Sequence, residues 1–300
     1  MRIMTIDHAG RAEPVLVGQG GSLLPLRPIG FQSVRALVEA GPAAWADVQA
    51  RAEGVPALCN LQDSTWRALA PLPDPPRNIF CAGVNYRSHF DEGDRPEQTR
   101  LPESPVIFTK PFTVLVGDDA TVVIDPAVTT QVDWEAEVAV VIGIGGRNIP
   151  ESEALSHVFG YSLANDVSAR DLQRAGGTMS QWFKGKSLDG FGPMGPDIRT
   201  PDELAGRDPE TISVELRVSG VLKQRFCVRD MVHPIPKLIS YLSRGMRLLP
   251  GDIIFSGTAS GVGLWRKPPE YLRHGDVTVI TSPQLGELRT RFVVAGEPGV

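Results

Sequence analysis

Glu135 and Glu137 stand two residues apart in VDWEAEVAVVIG, and Asp166 follows in LANDVSARDLQ. Alternation reads the first stretch as a strand with Trp134, Ala136, Val138 and Val140 on one face and the two glutamates on the other. The apolar run from Val138 to Ile142 indicates a strand covered on both sides. Two carboxylates on a buried surface repel each other and lose hydration unless positive charge lies between them. A hard divalent cation answers both problems and takes a third oxygen ligand. Asp166, expected just past an intervening helix, is the candidate. The competing reading is a solvated face of an antiparallel sheet, and spacing alone favours it.

His89 and Glu92 are three apart in NYRSHFDE, a spacing that joins them on one helical turn. A carboxylate held on one imidazole nitrogen leaves the other free as a base toward water. The plain alternative is a surface histidine beside acidic residues. Arg170 and Gln173, also three apart, suit bidentate contact with a carboxylate or a 1,3-dicarbonyl; an ordinary helix start capped by Asn165 or Asp166 would place them equally well. Lys186, framed by Gly185 and Ser187 behind Trp182 and Phe183, is either a buried cation near the acidic group or one more exposed lysine. SGTASGVG at 256–263 follows the strand-like DIIF. Its small residues let backbone N–H groups and the Thr258 hydroxyl approach an anion, unless the stretch is only a glycine-rich turn. Cys81 lies in apolar NIFCAGVNY, surroundings that raise a thiol pKa and disfavour a nucleophilic role.

Positioning these groups falls to a chain of 300 residues, 42% hydrophobic and 22% charged, enough for a full-sized core. A net charge of -5 and a pI near 5.6 leave no nucleic-acid footprint. The longest apolar run, near 138–144, is too short for a bilayer span, and the N-terminus lacks a secretion signal, so the expected location is cytoplasmic. Three scattered cysteines argue against a disulfide framework or a zinc site. GKS at 185–187 lacks the glycine a P-loop needs, VGQGGSL and IGIGGRN both lack the G-x-G-x-x-G spacing, and no G-x-S-x-G occurs. Residues 1–70 read as a small N-terminal α/β domain, closed by the proline-rich LAPLPDPPRN at 69–78. Beyond it, residues 71–300 show many strands with single helices around 150–158, 168–174 and 234–244. The expected class is α+β, a β-rich mixed sandwich or roll. The polar segment 90–105 reads as a lid.

In this order and spacing GVNYRSH, PVIFTK, VDWEAEVAVVIG, ANDVSARDLQ, WFKGKS, GPMGP, PGDIIFSGT and GVG resemble the fumarylacetoacetate hydrolase family over roughly residues 75–290. The likeness is to its acylpyruvate hydrolase and 2-oxo-acid hydratase branch. The resemblance implies Mg²⁺ or Mn²⁺ on Glu135, Glu137 and Asp166, with His89 and Glu92 as a water-activating dyad. It further implies Lys186 as the stabiliser of developing negative charge, and Arg170, Gln173 and Thr258 as substrate contacts. A homodimer is implied as well. One departure is GTASG, where a proline after the threonine is common. The implied reaction is hydrolytic C–C cleavage of an acylpyruvate-like 2,4-dioxo acid. The alternatives are decarboxylation of oxaloacetate or a related β-keto acid, and hydration or isomerisation of 2-oxo-alkenoates in aromatic catabolism. The partner in each case is a small 2-oxo or 2,4-dioxo acid.

Overall fold

The computed structural model describes residues 1–93, 100–175, 177, 180–204 and 208–298. Two sheets dominate. The larger has 12 strands, and at its centre Val158–Asn165, Ala136–Ile142, Ile253–Phe255 and Ile79–Gly83 lie side by side. The smaller has five, in the order Val221–Cys227, Ser213–Val218, Val277–Ser282, Gly286–Val294 and Ala120–Ile124. Val138, Val140 and Leu163 of the larger sheet share one core with Leu216, Ile280 and Phe292 of the smaller. On the opposite face, Ala139, Val141, Ile253 and Phe255 pack with Leu37, Val38, Val48 and Ala52 of the helices Val34–Glu39 and Pro42–Glu53. All seven residues of Ala136–Ile142 are buried, as a β-branched strand covered on both faces requires. The fold is the α+β, strand-rich sandwich that the sequence leads one to expect.

The segment between the glutamates and Asp166 differs from expectation. The helix expected there is a single 3₁₀ stretch, Glu151–His157, and the strand Val158–Asn165 follows it and runs directly into Asp166. Gly160 obscures this strand in the sequence, yet the packing demands it: a Cβ there would lie 2.6 Å from the Arg199 carbonyl oxygen of the next strand. That neighbour, Gly192–Arg199, is written in glycine and proline and was equally hard to read as a strand. The helix expected from 168 begins only at Arg170, because Ser168 and Ala169 pair with Asp133 and Val132. Part of the proposed lid, 94–99, falls outside the described residues.

Residues 2–8 pair with Gly192–Arg199, Ile3 opposite Ile198, so the N-terminal strands extend the large sheet. The proline-rich 69–78 is packed down, with Ala70, Pro71, Leu72 and Pro75 buried. Arg77 closes it by a fork onto Asp252, Nε to Oδ1 at 2.8 Å, and Asp252 is itself fully buried at the start of the Ile253–Phe255 strand. Replacing Arg77 with Met strands that carboxylate, and chemical denaturation should register a loss of about 3 kcal/mol. An unchanged midpoint would show that the pair does not anchor the segment.

Candidate active site

Strand pairing brings the three acidic residues together. Ala136 lies opposite Asn165 in the antiparallel ladder, and the Asp166 N–H donates to the Glu135 carbonyl at 2.8 Å. Glu135, Glu137 and Asp166 each offer a carboxylate oxygen, all within 4.8 Å of one another, and all three residues are buried. The solvated-face reading is thereby excluded.

Cations crowd the same space. Lys186 Nζ donates to Glu135 Oε2 at 2.7 Å and to Asp166 Oδ2. Lys110, fully buried, donates to Asp166 Oδ1 at 2.6 Å and to the carbonyls of Val167 and Phe191. Arg170 reaches Glu135 Oε1 at 2.6 Å, Asp133 Oδ2 at 2.8 Å and Gln173 Oε1 at 3.0 Å. Burial opposes the charge on Lys186, but Asp166 and Glu135 outweigh it and hold the ammonium above the usual lysine value. Burial likewise works against an ionised Glu135, and there Lys186 and Arg170 prevail, keeping its carboxyl below the usual range.

Among the described residues Glu137 is the one of the three that makes no ion pair. Burial, then Asp166 and Glu135 beside it, push its carboxyl well above the ordinary value, and its one N–H donor is Gly257, 2.7 Å from Oε2. Among the described residues, with Glu137 ionised as a ligand would be, four carboxylates (Asp133, Glu135, Glu137, Asp166) face three cations (Lys110, Arg170, Lys186), leaving one negative charge over. A set of hard oxygen donors with surplus negative charge fits a divalent cation. With one bound, the surplus becomes a single positive charge, suited to an anionic ligand.

The glycine-rich turn serves this cluster directly. Gly257 N–H grips Glu137; Gly261 N–H donates to Glu92 Oε2 at 2.6 Å; Gly263 N–H donates to Asp133 Oδ1 at 2.7 Å. The anions it approaches are the protein's own carboxylates. A side chain could not be accommodated at two of these positions: a Cβ on Gly261 would sit 2.1 Å from the Lys223 carbonyl, and one on Gly263 would sit 2.0 Å from that of Glu270. Thr258 Oγ1 donates to the Ala136 carbonyl at 2.8 Å and accepts from Gln224 at 2.9 Å, so its hydroxyl proton is engaged within the protein.

The short helix Arg87–Glu92 carries the dyad. His89 Nδ1 lies 2.7 Å from Glu92 Oε1. A carboxylate can only accept, so it places a proton on Nδ1, and in the neutral ring Nε2 is then the acceptor. Asn85 fixes the preceding loop by donating to the carbonyls of His233 and Ser256.

These groups border a cavity of about 400 Å³. His89, Glu135, Arg170, Gln173, Lys186 and Thr258 line it, and Glu92, Glu137 and Asp166 stand behind them. Its apolar wall includes Phe108 and Trp182, packed edge to face at 5.1 Å, with Lys186 Nζ over the Phe108 ring. Sequence reasoning missed Lys110 and Asp133. The only signal for Lys110 was a lysine closing the apolar strand PVIFTK, and for Asp133 an acidic residue at the edge of the glutamate strand. Cys81 is buried, and burial pushes its thiol up, in keeping with an inert role.

The fold is that of one enzyme family. The chain belongs to the fumarylacetoacetate hydrolase family, residues 78–293 matching the sequence model described as "Fumarylacetoacetate (FAA) hydrolase C-terminal". It is 45% identical over 223 residues to oxaloacetate tautomerase YisK of Bacillus subtilis, covering 74% of this chain and 72% of that one. The solved structure of a fumarylacetoacetate hydrolase from Exiguobacterium antarcticum superposes with a TM-score of 0.83 at 37% identity, covering 98% of this chain and 99% of that one. Maleylpyruvate hydrolase from Sphingobium sp. SYK-6, in complex with manganese(II) ion and pyruvate, gives a TM-score of 0.78 at 26% identity, covering 98% and 99%. Among the described residues no helix is long and apolar enough to cross a membrane.

Lys110 offers a probe of how Asp166 is oriented. Lys110→Met removes the cation from Asp166 Oδ1 without touching a proposed ligand. Calorimetric titration with Mn²⁺ should show affinity lower by about 10- to 100-fold, the usual cost of losing a group that orients a ligand. Unaltered affinity would mean that Lys110 does not tune the acidic group.

Proposed function

We propose that this protein is a divalent-cation-dependent enzyme that interconverts the keto and enol forms of oxaloacetate or a closely similar 2-oxo acid. The observation that carries the reading is a buried acidic triad with Lys186 ion-paired to two of its members and an oriented histidine on the same cavity. The likeness to an oxaloacetate tautomerase supports it. Of the readings drawn from the sequence, the comparisons favour the oxaloacetate alternative over acylpyruvate hydrolysis.

Mg²⁺ or Mn²⁺ held by Glu135, Glu137 and Asp166 would polarise the 2-oxo group and the adjacent carboxylate of the substrate. Lys186 Nζ uses two of its three N–H groups on Glu135 and Asp166, which leaves one for the oxygen on which enolate charge develops. His89 Nε2 takes the proton from C3, and the same nitrogen returns it to the enolate oxygen, completing the tautomerisation without loss of atoms. Glu92 holds Nδ1–H through this cycle and stabilises the transient imidazolium, while the Gly261 N–H keeps Glu92 in place. Arg170 and Gln173 present the polar floor against which the substrate carboxylate is oriented.

One observation favours a second reading: the structural likeness to maleylpyruvate hydrolase. In that case His89 Nε2 deprotonates water for attack on the acyl carbonyl, and Lys186 stabilises the departing pyruvate enolate. The two readings separate by product. A tautomerase changes the enol absorbance of oxaloacetate with no release of pyruvate, whereas a hydrolase releases pyruvate from acylpyruvates.

His89→Ala should lower the tautomerisation rate by about 10²- to 10⁴-fold, the usual contribution of a positioned acid–base group. Full activity in that variant removes the histidine from the mechanism. Treatment with a chelator should abolish activity, and added Mg²⁺ or Mn²⁺ should restore it in the wild type but not in Glu137→Ala. Undiminished turnover after chelation contradicts the metal dependence.

A further inference from the structure

We propose that Arg174 binds the second carboxylate of the substrate and makes the enzyme selective for 2-oxo acids charged at both ends. The assignment rests on the 2-oxo acid reading of this cavity and names the residue that reads the far end of the molecule.

The argument is one of charge commitment. The cavity is bordered by three permanently cationic side chains, Arg170, Arg174 and Lys186. Arg170 is largely committed: three of its five N–H groups, on Nε, Nη1 and Nη2, go to Asp133, Gln173 and Glu135. Lys186 is held by Glu135 and Asp166. Among the described residues Arg174 makes no ion pair and no side-chain hydrogen bond. The nearest acid on its own helix, Asp171, is turned elsewhere, accepting from Thr129 Oγ1 at 2.6 Å and from Thr130 N–H at 3.0 Å. An arginine with its whole fork available, on the wall of a site for anions, is matched to a carboxylate.

Geometry agrees. Arg170 and Arg174 are the first and last residues of the helix Arg170–Arg174, so they lie four apart on one face, and Gln173 between them also lines the cavity. Side chains at that spacing stand about 5–6 Å apart at Cβ. One end of the face is therefore locked onto the acidic triad and the other reaches the exposed rim. A 2-oxo acid anchored by its 1-carboxylate and 2-oxo group beside Arg170 extends its chain along this face toward Arg174. The apolar lining residues Phe108, Trp182 and Leu264 offer no positive charge to a distal carboxylate. A neutral-tailed substrate would leave Arg174 solvated and gain nothing from it.

The test pairs substrates that differ only in the distal charge. Oxaloacetate and its 4-ethyl ester are turned over by wild type, Arg174→Gln and Arg174→Lys with Mg²⁺ present. The expected result for Arg174→Gln is a KM for oxaloacetate raised about tenfold, the scale of one charge-assisted contact at a partly solvated site. Its kcat stays within a factor of three, the KM for the ester is unchanged, and Arg174→Lys recovers part of the loss. A second arm needs no turnover: Mg²⁺-loaded protein is titrated calorimetrically with 2-oxoglutarate and with 2-oxopentanoate, which match in length and differ in the terminal charge. Preference of the wild type for the diacid, lost in Arg174→Gln, supports the assignment even if oxaloacetate is not turned over, in which case the tautomerase reading fails alone. Equal binding of the pair by the wild type, or an equal loss for both in Arg174→Gln, overturns the assignment whatever reaction is catalysed.

Discussion

Like charge confined away from water is the constraint on which this structure turns. The carboxylate oxygens of Glu135, Glu137 and Asp166 lie within 4.8 Å of one another. At that separation, and with the screening typical of protein sites, each pair of full charges repels by roughly 3–4 kcal/mol. The strands that carry them gain nothing by holding them so close unless the arrangement is compensated. Compensation comes in layers: Lys110, Arg170 and Lys186 supply charge, and the backbone N–H groups of Gly257 and Gly263 supply hydrogen bonds. It stops one charge short, at Glu137. That incomplete neutralisation separates a cation site from an ordinary buried salt-bridge network, which would be closed.

The same constraint accounts for the shape of the turn after Phe255. Three glycines in seven residues let the main chain run close enough for an N–H to reach Glu137, then Glu92, then Asp133. The turn therefore links two functions. It steadies the acidic cluster at one end and the histidine's carboxylate partner in the middle, so the His89–Glu92 pair and the acidic cluster are fixed relative to each other by a single stretch of backbone. Thr258 is held within it, its hydroxyl bridging the Ala136 carbonyl and Gln224. Its hydroxyl proton is thereby committed within the protein, while its side chain still borders the cavity.

What could be read from the sequence follows from how local each signal is. The Glu135–Glu137 alternation and the His89–Glu92 spacing are properties of one strand and one helical turn, and both were legible. Lys110 was not, because a lysine at the end of an apolar strand looks like any residue returning to solvent. Only the pairing of distant strands reveals that it ends against Asp166. Asp133 was masked in the same way: its partners Arg170, Gly263 and Leu264 are each supplied by remote segments. The strands Val158–Asn165 and Gly192–Arg199 were illegible for the opposite reason. Close approach of their backbones calls for glycine at 160, and that glycine erases the alternation that would have announced the strand.

Tautomerase and hydrolase chemistry need nearly the same furniture, since both pass through negative charge on the oxygen of an enolisable 2-oxo acid. Lys186 would serve either, and so would the acidic triad. The distinction lies in what His89 Nε2 meets: a C3–H bond of the substrate or a water molecule. Nothing about the dyad itself selects between them, because Glu92 orients the ring identically for both. Selection must come from how the substrate is laid across the cavity, which depends on where its far end is held. A substrate pinned at both ends along the Arg170–Arg174 face lies extended, and a fixed C3 can then be presented to the histidine. One free at its far end can swing toward the apolar wall of Phe108 and Trp182 and open a place for water. Reaction type in this family would then be set by the residues that grip the tail, remote from the atoms that react.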